Sequence, residues 1–394
     1  METITVNRFK PYRTMRWFRS NYLWSHLNPY LAQYGIEVHH GSTSSQDVLA
    51  IPCPHIPGRE AKVNQDIRVW LSQTHRGELD YQATPMICDS SMDYAFMDPA
   101  VRALVSYPQL RAFMPNVWFR DDRVQQRQSW GGEYYGDVWK RRDLYEVGPD
   151  GREDREPLPH AVRSKIQTIN RPPTPPFHDR VFEHIEQRIK PLHRREIDVL
   201  FAGRSVYEGR YAHNYPTMHR KLLERKWNDL PGKIKLLKTY DDFAGTVKNG
   251  KPVKSYAYPY EYVDMLLETK VVLSPWGWAT WCVRDLEALA CGCLVIKPEC
   301  SNTLIYPDIY NPKNQVLIWG DIMYEHLPDQ LNYCYSHLDE MQVRVDRGRQ
   351  LVTDALYPND KLYAGWTHDL RQLLEKILEQ PAYAISTGIP NVLL

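Results

Sequence analysis

Nowhere in the 394 residues do the roughly 20 apolar residues of a membrane span run together. Arginines fill the first two dozen positions, where a secretory signal needs an apolar core. The expectation is a cytoplasmic protein with no transmembrane segment of its own. Net charge is almost missing as well. Lys and Arg number 49 against 48 Asp and Glu, giving +1, so the whole-chain balance predicts neither a nucleic-acid binder nor a sponge for acidic ligands. Cysteine is sparse, seven in all, an odd number without paired metal-like spacing; Cys291 and Cys293 lie only two apart. Reduced, buried, structural thiols follow. No strand runs into G-x-x-x-x-G-K-[ST] or G-x-G-x-x-G, which argues against a P-loop kinase or a dinucleotide dehydrogenase.

What is present is enough for two cores. The length exceeds what one hydrophobic core usually supports, and 43% apolar residues can fill two. In the first half, "SNYLWSHLNPYLAQYG" has the helical spacing of Leu23, Leu27 and Leu31 and stops at Gly35. "IEVHHG", "DVLAIPC" and "TPMICDSS" read as short buried strands, the last ending in an Asp/Ser turn. "DPAVRALVSYPQLRAFM" reads as a helix, with Asp98 as N-cap and Pro99 at its first position. Strands alternating with helices predict a parallel sheet. Between Asp150 and Pro176 the chain turns charged and proline-rich, an irregular connection with the domain boundary near Pro172 to Pro176.

The second half repeats strand and helix more regularly. "EIDVLFAGRS" is a strand that breaks at Gly203, "YPTMHRKLLERKW" a helix, "GKIKLLKTY" a strand, "YPYEYVDMLLETK" a helix. Then comes "VVLSPWGWATWCVRDLEALACGCLVIKP": a strand over Val271 to Leu273, a loop from Ser274 to Ala279, a helix from Trp281 to Ala290, Gly292 past its end, and a strand over Cys293 to Lys297. A doubly wound domain of this kind binds ligands at the carboxyl ends of its strands. Gly277 permits close backbone approach there, and the next helix offers free N–H groups and a partial positive charge suited to phosphate. Arg284 and Glu287, three residues apart, share one helix face. A guanidinium clamps diphosphate oxygens, and a carboxylate accepts from two ribose hydroxyls. The same spacing equally fits an exposed ion pair, with the tryptophans as packing.

The stretch ending "SPWGWATWCVRDLEALACGCLVIKP" resembles the nucleotide-sugar-binding segment of GT-B glycosyltransferases, above all the exostosin-like group, and "DVLFAGRSVYEGRYAHNYPTMHRKLL" is similar to the start of that group's C-terminal domain. The resemblance covers roughly Asp198 to Asp321. It implies an α/β protein of GT-B architecture, two Rossmann-like domains facing across a cleft. Residues 1–175 would form the acceptor-binding domain with its irregular linker, 176–365 the nucleotide-sugar-binding domain, and 366–394 a helix and tail crossing back to the first. Glu287 would hold the ribose and Arg284 the diphosphate; Gly203 and Arg204 would face the same cleft. Ser274, Gly277 and Trp278 would line the donor loop, with Arg220 a second phosphate contact or a solvated helix residue. Many retaining members carry a glutamate eight residues before the position of Glu287; Ala279 stands there, which argues for inversion. No cofactor is expected to bind tightly, the donor being a nucleotide-diphosphate sugar. No metal is expected either, since arginine and helix end can stabilise the leaving group and the sequence holds no D-x-D triplet.

An inverting displacement needs a general base for the acceptor hydroxyl. Asp89, where a strand gives way to a loop in "ICDSSMDY", is the first candidate, or else a turn aspartate. His40 or His39 is the second; neighbours on a strand point to opposite faces, so at most one serves. Asp93 and Asp47 are weaker. The acceptor expected of the family is a glycan or glycolipid. Thr3 to Ile36 holds Arg8, Lys10, Arg13, Arg16 and Arg19 with no acidic residue, interleaved with Phe9, Tyr12, Trp17, Phe18, Tyr22 and Trp24. That mixture suits DNA, as in a phage-type enzyme that glycosylates a flipped hydroxymethylated base; it equally suits a helix packed on one side. A catalytically inactive nucleotide-sugar-binding module stays open as a second class of function.

Overall fold

A computed structural model describes residues 2–8, 27, 29–40, 47–53, 85–90, 110–114, 118–119, 167–168, 176–203, 215–238, 247–248, 251–252, 260–276, 281–301, 303–321 and 323–379. They fall into two compact units, one made of residues 2–168 with 360–379, the other of residues 176–359.

The first unit is a six-stranded parallel sheet. Its strands are β1 (Ile4–Arg8), β2 (Ile36–His40), β3 (Val48–Cys53), β4 (Met86–Ser90), β5 (Leu110–Met114) and β6 (Gln167–Thr168), in the spatial order β2-β1-β3-β4-β5-β6. Buried Leu27 and Leu31 lie before β2, and Gly35 ends that helical turn with φ 66°, a left-handed conformation that glycine adopts without steric cost. Ile4, Val6, Val48, Ala50, Ile87, Ala112 and Met114 form the core. The chain's last helix returns to this unit and covers that core with Trp366, Leu370, Leu373, Leu374 and Ile377. Arg371 ties it down by donating to the carbonyl oxygens of Glu2 (2.9 Å) and Gly35 (3.1 Å).

One expected element is of the other kind. Leu110–Met114, read as the end of a helix, is strand β5, paired parallel with β4. The preceding Pro108 disfavours helix at the residue before it, and buried Leu110, Ala112 and Met114 follow the period of two of a strand. Asp98 and Pro99 lie outside the described residues.

The second unit holds five parallel strands: β7 (Ile197–Ala202), β8 (Lys235–Lys238), β9 (Thr269–Leu273), β10 (Leu294–Pro298) and β11 (Ile318–Gly320), ordered β11-β10-β9-β7-β8. Buried apolar runs in β7, β9 and β10 are what strands covered on both faces require. The helices are α1 (Asp179–Arg188), α2 (Tyr215–Lys226), α3 (Tyr260–Leu267), α4 (Val283–Ala290), α5 (Leu327–Ser336) and α6 (Leu338–Leu356), followed by α7 (Asn359–Glu379), which from Asp360 belongs to the first unit. In chain order this sheet runs 2-1-3-4-5, so its switch point lies between β7 and β9, the place where sheets of this order take ligands beyond their carboxyl ends. Among the described residues no helix is long and apolar enough to cross a membrane.

Candidate functional site

Gly203 follows the last residue of β7 and Ser274 the last of β9, so both stand at the switch point. The chain leaves β9 through Ser274, Pro275 and Trp276 and enters α4 from Cys282. Trp276 is buried and donates its indole N–H to the carbonyl oxygen of Pro298 at 3.1 Å, which pins the loop to the end of β10.

Arg284 lies in the first turn of α4, only 7% exposed. Its guanidinium sits over the Phe201 ring, 5.2 Å from the centroid, and over the backbone of Gly203: a Cβ there would stand 2.2 Å from Nη2. A side chain at 203 would displace the guanidinium, so glycine is what lets Arg284 lie where it does. Burial opposes the charge of Arg284, but the acidic groups around it, Cys282, Tyr262, Asp285 and Glu287, more than offset that and raise its pKa. Nη1 is buried with no hydrogen-bond partner among the described residues. A buried cation with an unspent donor, at a switch point and a helix N-terminus, suits a polyanion such as diphosphate.

Glu287, one turn further along α4, is buried and accepts the Tyr262 hydroxyl at 2.8 Å. Burial of both residues rules out the exposed ion pair that their spacing also allowed. Ser274 is fully buried, and its hydroxyl donates to Asp285 rather than facing the loop surface. It stands at the root of the loop that leaves β9.

Asp285 was not singled out in the sequence, yet it organises this end of the sheet. Its carboxylate pairs with Lys297 at 3.0 Å, both side chains wholly buried, and accepts the hydroxyls of Ser274 and Tyr310. It also accepts the Cys282 amide at 3.3 Å, while Lys297 donates to the Ser274 carbonyl oxygen at the same distance. Burial first, then the charge of Asp285, pushes the Tyr310 hydroxyl well up, so it stays a proton donor. The network joins loop, helix start and β10. A lysine inside the apolar run "CLVIKP" was the one signal of it.

Other expected residues are placed as follows. Asp89 is at the carboxyl end of β4 and His40 at that of β2. Three strand spacings separate them, roughly 14 Å, so they cannot act on one hydroxyl together. Only their backbone is described. Asp47 is at the wrong end: it precedes β3, and its carboxylate accepts the Thr5 amide at 2.7 Å, a structural tie at the amino ends of the strands. His39 lies 3.4 Å from Glu37 along the same strand. Arg220 is on α2, its side chain outside the described residues, as are Arg204, Gly277, Trp278 and Asp93 altogether.

Among the described residues Cys291, Cys293, Cys300 and Cys334 are buried free thiols. Burial pushes those of Cys293 and Cys334 up to about 11. Among the described residues no three His, Cys, Asp or Glu side chains group in a way that could hold a metal ion.

No family model matches the sequence, and no curated protein matches it. Among solved structures, the chain is similar to sucrose-phosphate synthase from Thermosynechococcus elongatus, with TM-score 0.45 and 11% identity over 95% of this chain and 100% of that one. It is similar to an α1,3-fucosyltransferase with GDP, at 0.42 and 10% over 96% and 91%. An alpha-glucosyltransferase in complex with UDP and a 13-mer DNA containing a HMU base gives 0.36 and 9% over 95% and 100%. The chain itself is built of two units, each with a parallel sheet in the order given above. Likeness at this level leaves the chemistry to the residues themselves.

Proposed function

We propose that the protein is a glycosyltransferase that moves a sugar from a nucleotide-diphosphate sugar to an acceptor hydroxyl, with inversion and without a metal. The observation that supports it is Arg284, a buried guanidinium whose Nη1 has no partner among the described residues, seated over Gly203 at the switch point of the second sheet. In this reading Arg284 takes the diphosphate and Glu287 the ribose hydroxyls. A base withdraws the acceptor proton as the acceptor oxygen attacks the anomeric carbon. The bond to the diphosphate breaks, and the charge left on the departing nucleotide falls to Arg284 and the amides of α4. Asp89, at the carboxyl end of β4, is the candidate base. The acceptor is a glycan or glycolipid and the donor-binding half is of the exostosin-like type.

Melting curves with a panel of nucleoside diphosphates and nucleotide sugars test the donor site, since a ligand of the folded state alone must raise the melting temperature. One nucleotide family should shift the wild type and not Glu287→Ala. A flat response to the whole panel overturns the reading. Asp89→Asn should keep the shift and lose release of nucleoside diphosphate during transfer; saturable binding without any turnover in the wild type indicates an inactive binding module instead.

A second reading, transfer to a hydroxymethylated base in DNA, draws on the basic and aromatic residues of Thr3 to Ile36. It requires duplex binding that weakens steeply with added salt, and no measurable affinity at low salt removes it.

A further inference from the structure

Tyr262 belongs to none of the motifs read from the sequence. It is the third residue of α3, 6% exposed, and it reaches across from that helix to donate its hydroxyl to Oε2 of Glu287 at 2.8 Å. Glu287 is itself 4% exposed and lies on α4, the helix that carries Arg284. A glutamate side chain has three rotatable bonds, and any freedom left in it is lost when it closes on a ligand. A phenol bound to one carboxylate oxygen removes that freedom before the ligand arrives.

We infer that Tyr262 is a positioning residue that holds the Glu287 carboxylate in the orientation needed to accept two neighbouring hydroxyls, and so sets the preference of the site for ribose over deoxyribose nucleotides. This rests on the reading of Glu287 as the ribose-binding residue. A site built to hydrogen-bond a hydroxyl rejects the analogue lacking it, because its buried polar group is left unpaired. That rejection holds only while the carboxylate cannot swing away to another partner. Without the phenol it is held less firmly, and the deoxy ligand is then penalised less.

The test is titration calorimetry of UDP and GDP against their 2′-deoxy forms, on wild type and Tyr262→Phe, with melting temperatures measured beside them. The wild type should bind the ribonucleotide more tightly than its deoxy form. Tyr262→Phe, which keeps the ring and loses only the hydroxyl, should shrink that ratio by roughly three- to tenfold. Leu266→Ala on the same helix, a fully buried residue without polar atoms, should lower the melting temperature and leave the ratio unchanged. A loss of folded protein weakens both ligands alike, so the ratio reports orientation rather than stability. A wild-type preference for ribose that persists undiminished in Tyr262→Phe overturns the role given to Tyr262 and leaves Glu287 in place. A wild type that binds nucleotide but does not distinguish the two sugars overturns the ribose reading of Glu287, and the inference with it.

Discussion

The two ends of the second sheet each bury an arginine, and the two arginines are treated in opposite ways. At the amino ends Arg195, 3% exposed, donates to the carbonyl oxygens of Lys190 (2.9 Å), Thr269 (2.8 Å), Cys291 (3.0 Å) and Leu266 (3.4 Å). Its Nη2 would lie 2.9 Å from a Cβ at position 292, where Gly292 has φ +67°. It staples the starts of three strands and the end of α4. At the carboxyl ends Arg284 is nearly as buried, yet its guanidinium meets an aromatic face and a glycine, and among the described residues its Nη1 has no hydrogen-bond partner. Burial of a charge is costly unless it is paired and hydrogen-bonded. Arg195 is fully tied into the scaffold, whereas in the proposed function the remaining donor of Arg284 is completed by the diphosphate.

Substitution should separate the two sharply. Arg195→Met strands several buried carbonyls and is expected to cost about 3–5 kcal/mol, a fall of about 10 °C or more in melting temperature for a unit of this size. Lys297→Met belongs with it. It leaves Asp285 as an unpaired buried charge, also worth about 3–5 kcal/mol, and a double variant with Asp285→Leu should recover part of that loss. Arg284→Met should instead move the melting temperature by no more than about 3 °C while weakening nucleoside diphosphate binding by roughly 30- to 100-fold. If Arg284→Met unfolds the protein as Arg195→Met does, the distinction between the two ends collapses.

This contrast was only half visible in the sequence. The strands of the second unit are apolar runs ending in glycine or a Ser/Pro turn, and that pattern is local, so β7, β9, β10 and the α4 that follows were legible with Gly203, Arg284 and Glu287 on them. The first unit was harder. Strand β1 has only Ile4 and Val6 as buried apolar residues before it reaches Arg8, and it passes for the start of a basic arm. Strand β11 has only three residues, too few to show a period, while α6 buries Met341, Val345, Val352 and Leu356 at a helical spacing that was there to be read. Asp285, Lys297 and Tyr310 escaped for another reason: their meaning lies in contacts across 36 residues of chain from Ser274 to Tyr310, and no spacing rule predicts a tertiary ion pair. The same holds for Tyr262.

A smaller effect sharpens the comparison at the ligand end. Gly203→Ala places a Cβ against the tip of Arg284, a flexible side chain rather than backbone, so the fold should tolerate it. The guanidinium must move, and affinity for the nucleoside diphosphate should fall about tenfold, near 1.4 kcal/mol. In the Arg284→Met background the same alanine should cost little further affinity, because the group it displaces is gone. Additive losses would mean that the two residues act on the ligand separately.

The smallest effect belongs to the opposite end of the sheet and is read by pH. Asp198, early in β7, is mostly buried and bonded to Lys270 at 2.6 Å. Burial alone would raise its pKa, but the hydrogen bond from Lys270, the amides of Ile234 and Lys233, and the charge of Lys270 together hold it below the ordinary value. A folded pKa below the unfolded one means stability that is complete above the unfolded carboxyl value of about 3.9 and lost as the pH falls through the folded value. Asp198→Asn should therefore be less stable than wild type by about 1 kcal/mol near neutrality, and the two melting curves should converge as the pH is taken from 6 to 2. Nucleotide binding at pH 7 should be untouched, since Asp198 lies at the scaffold end. A constant gap at every pH would show that the side chain contributes by packing rather than by its charge.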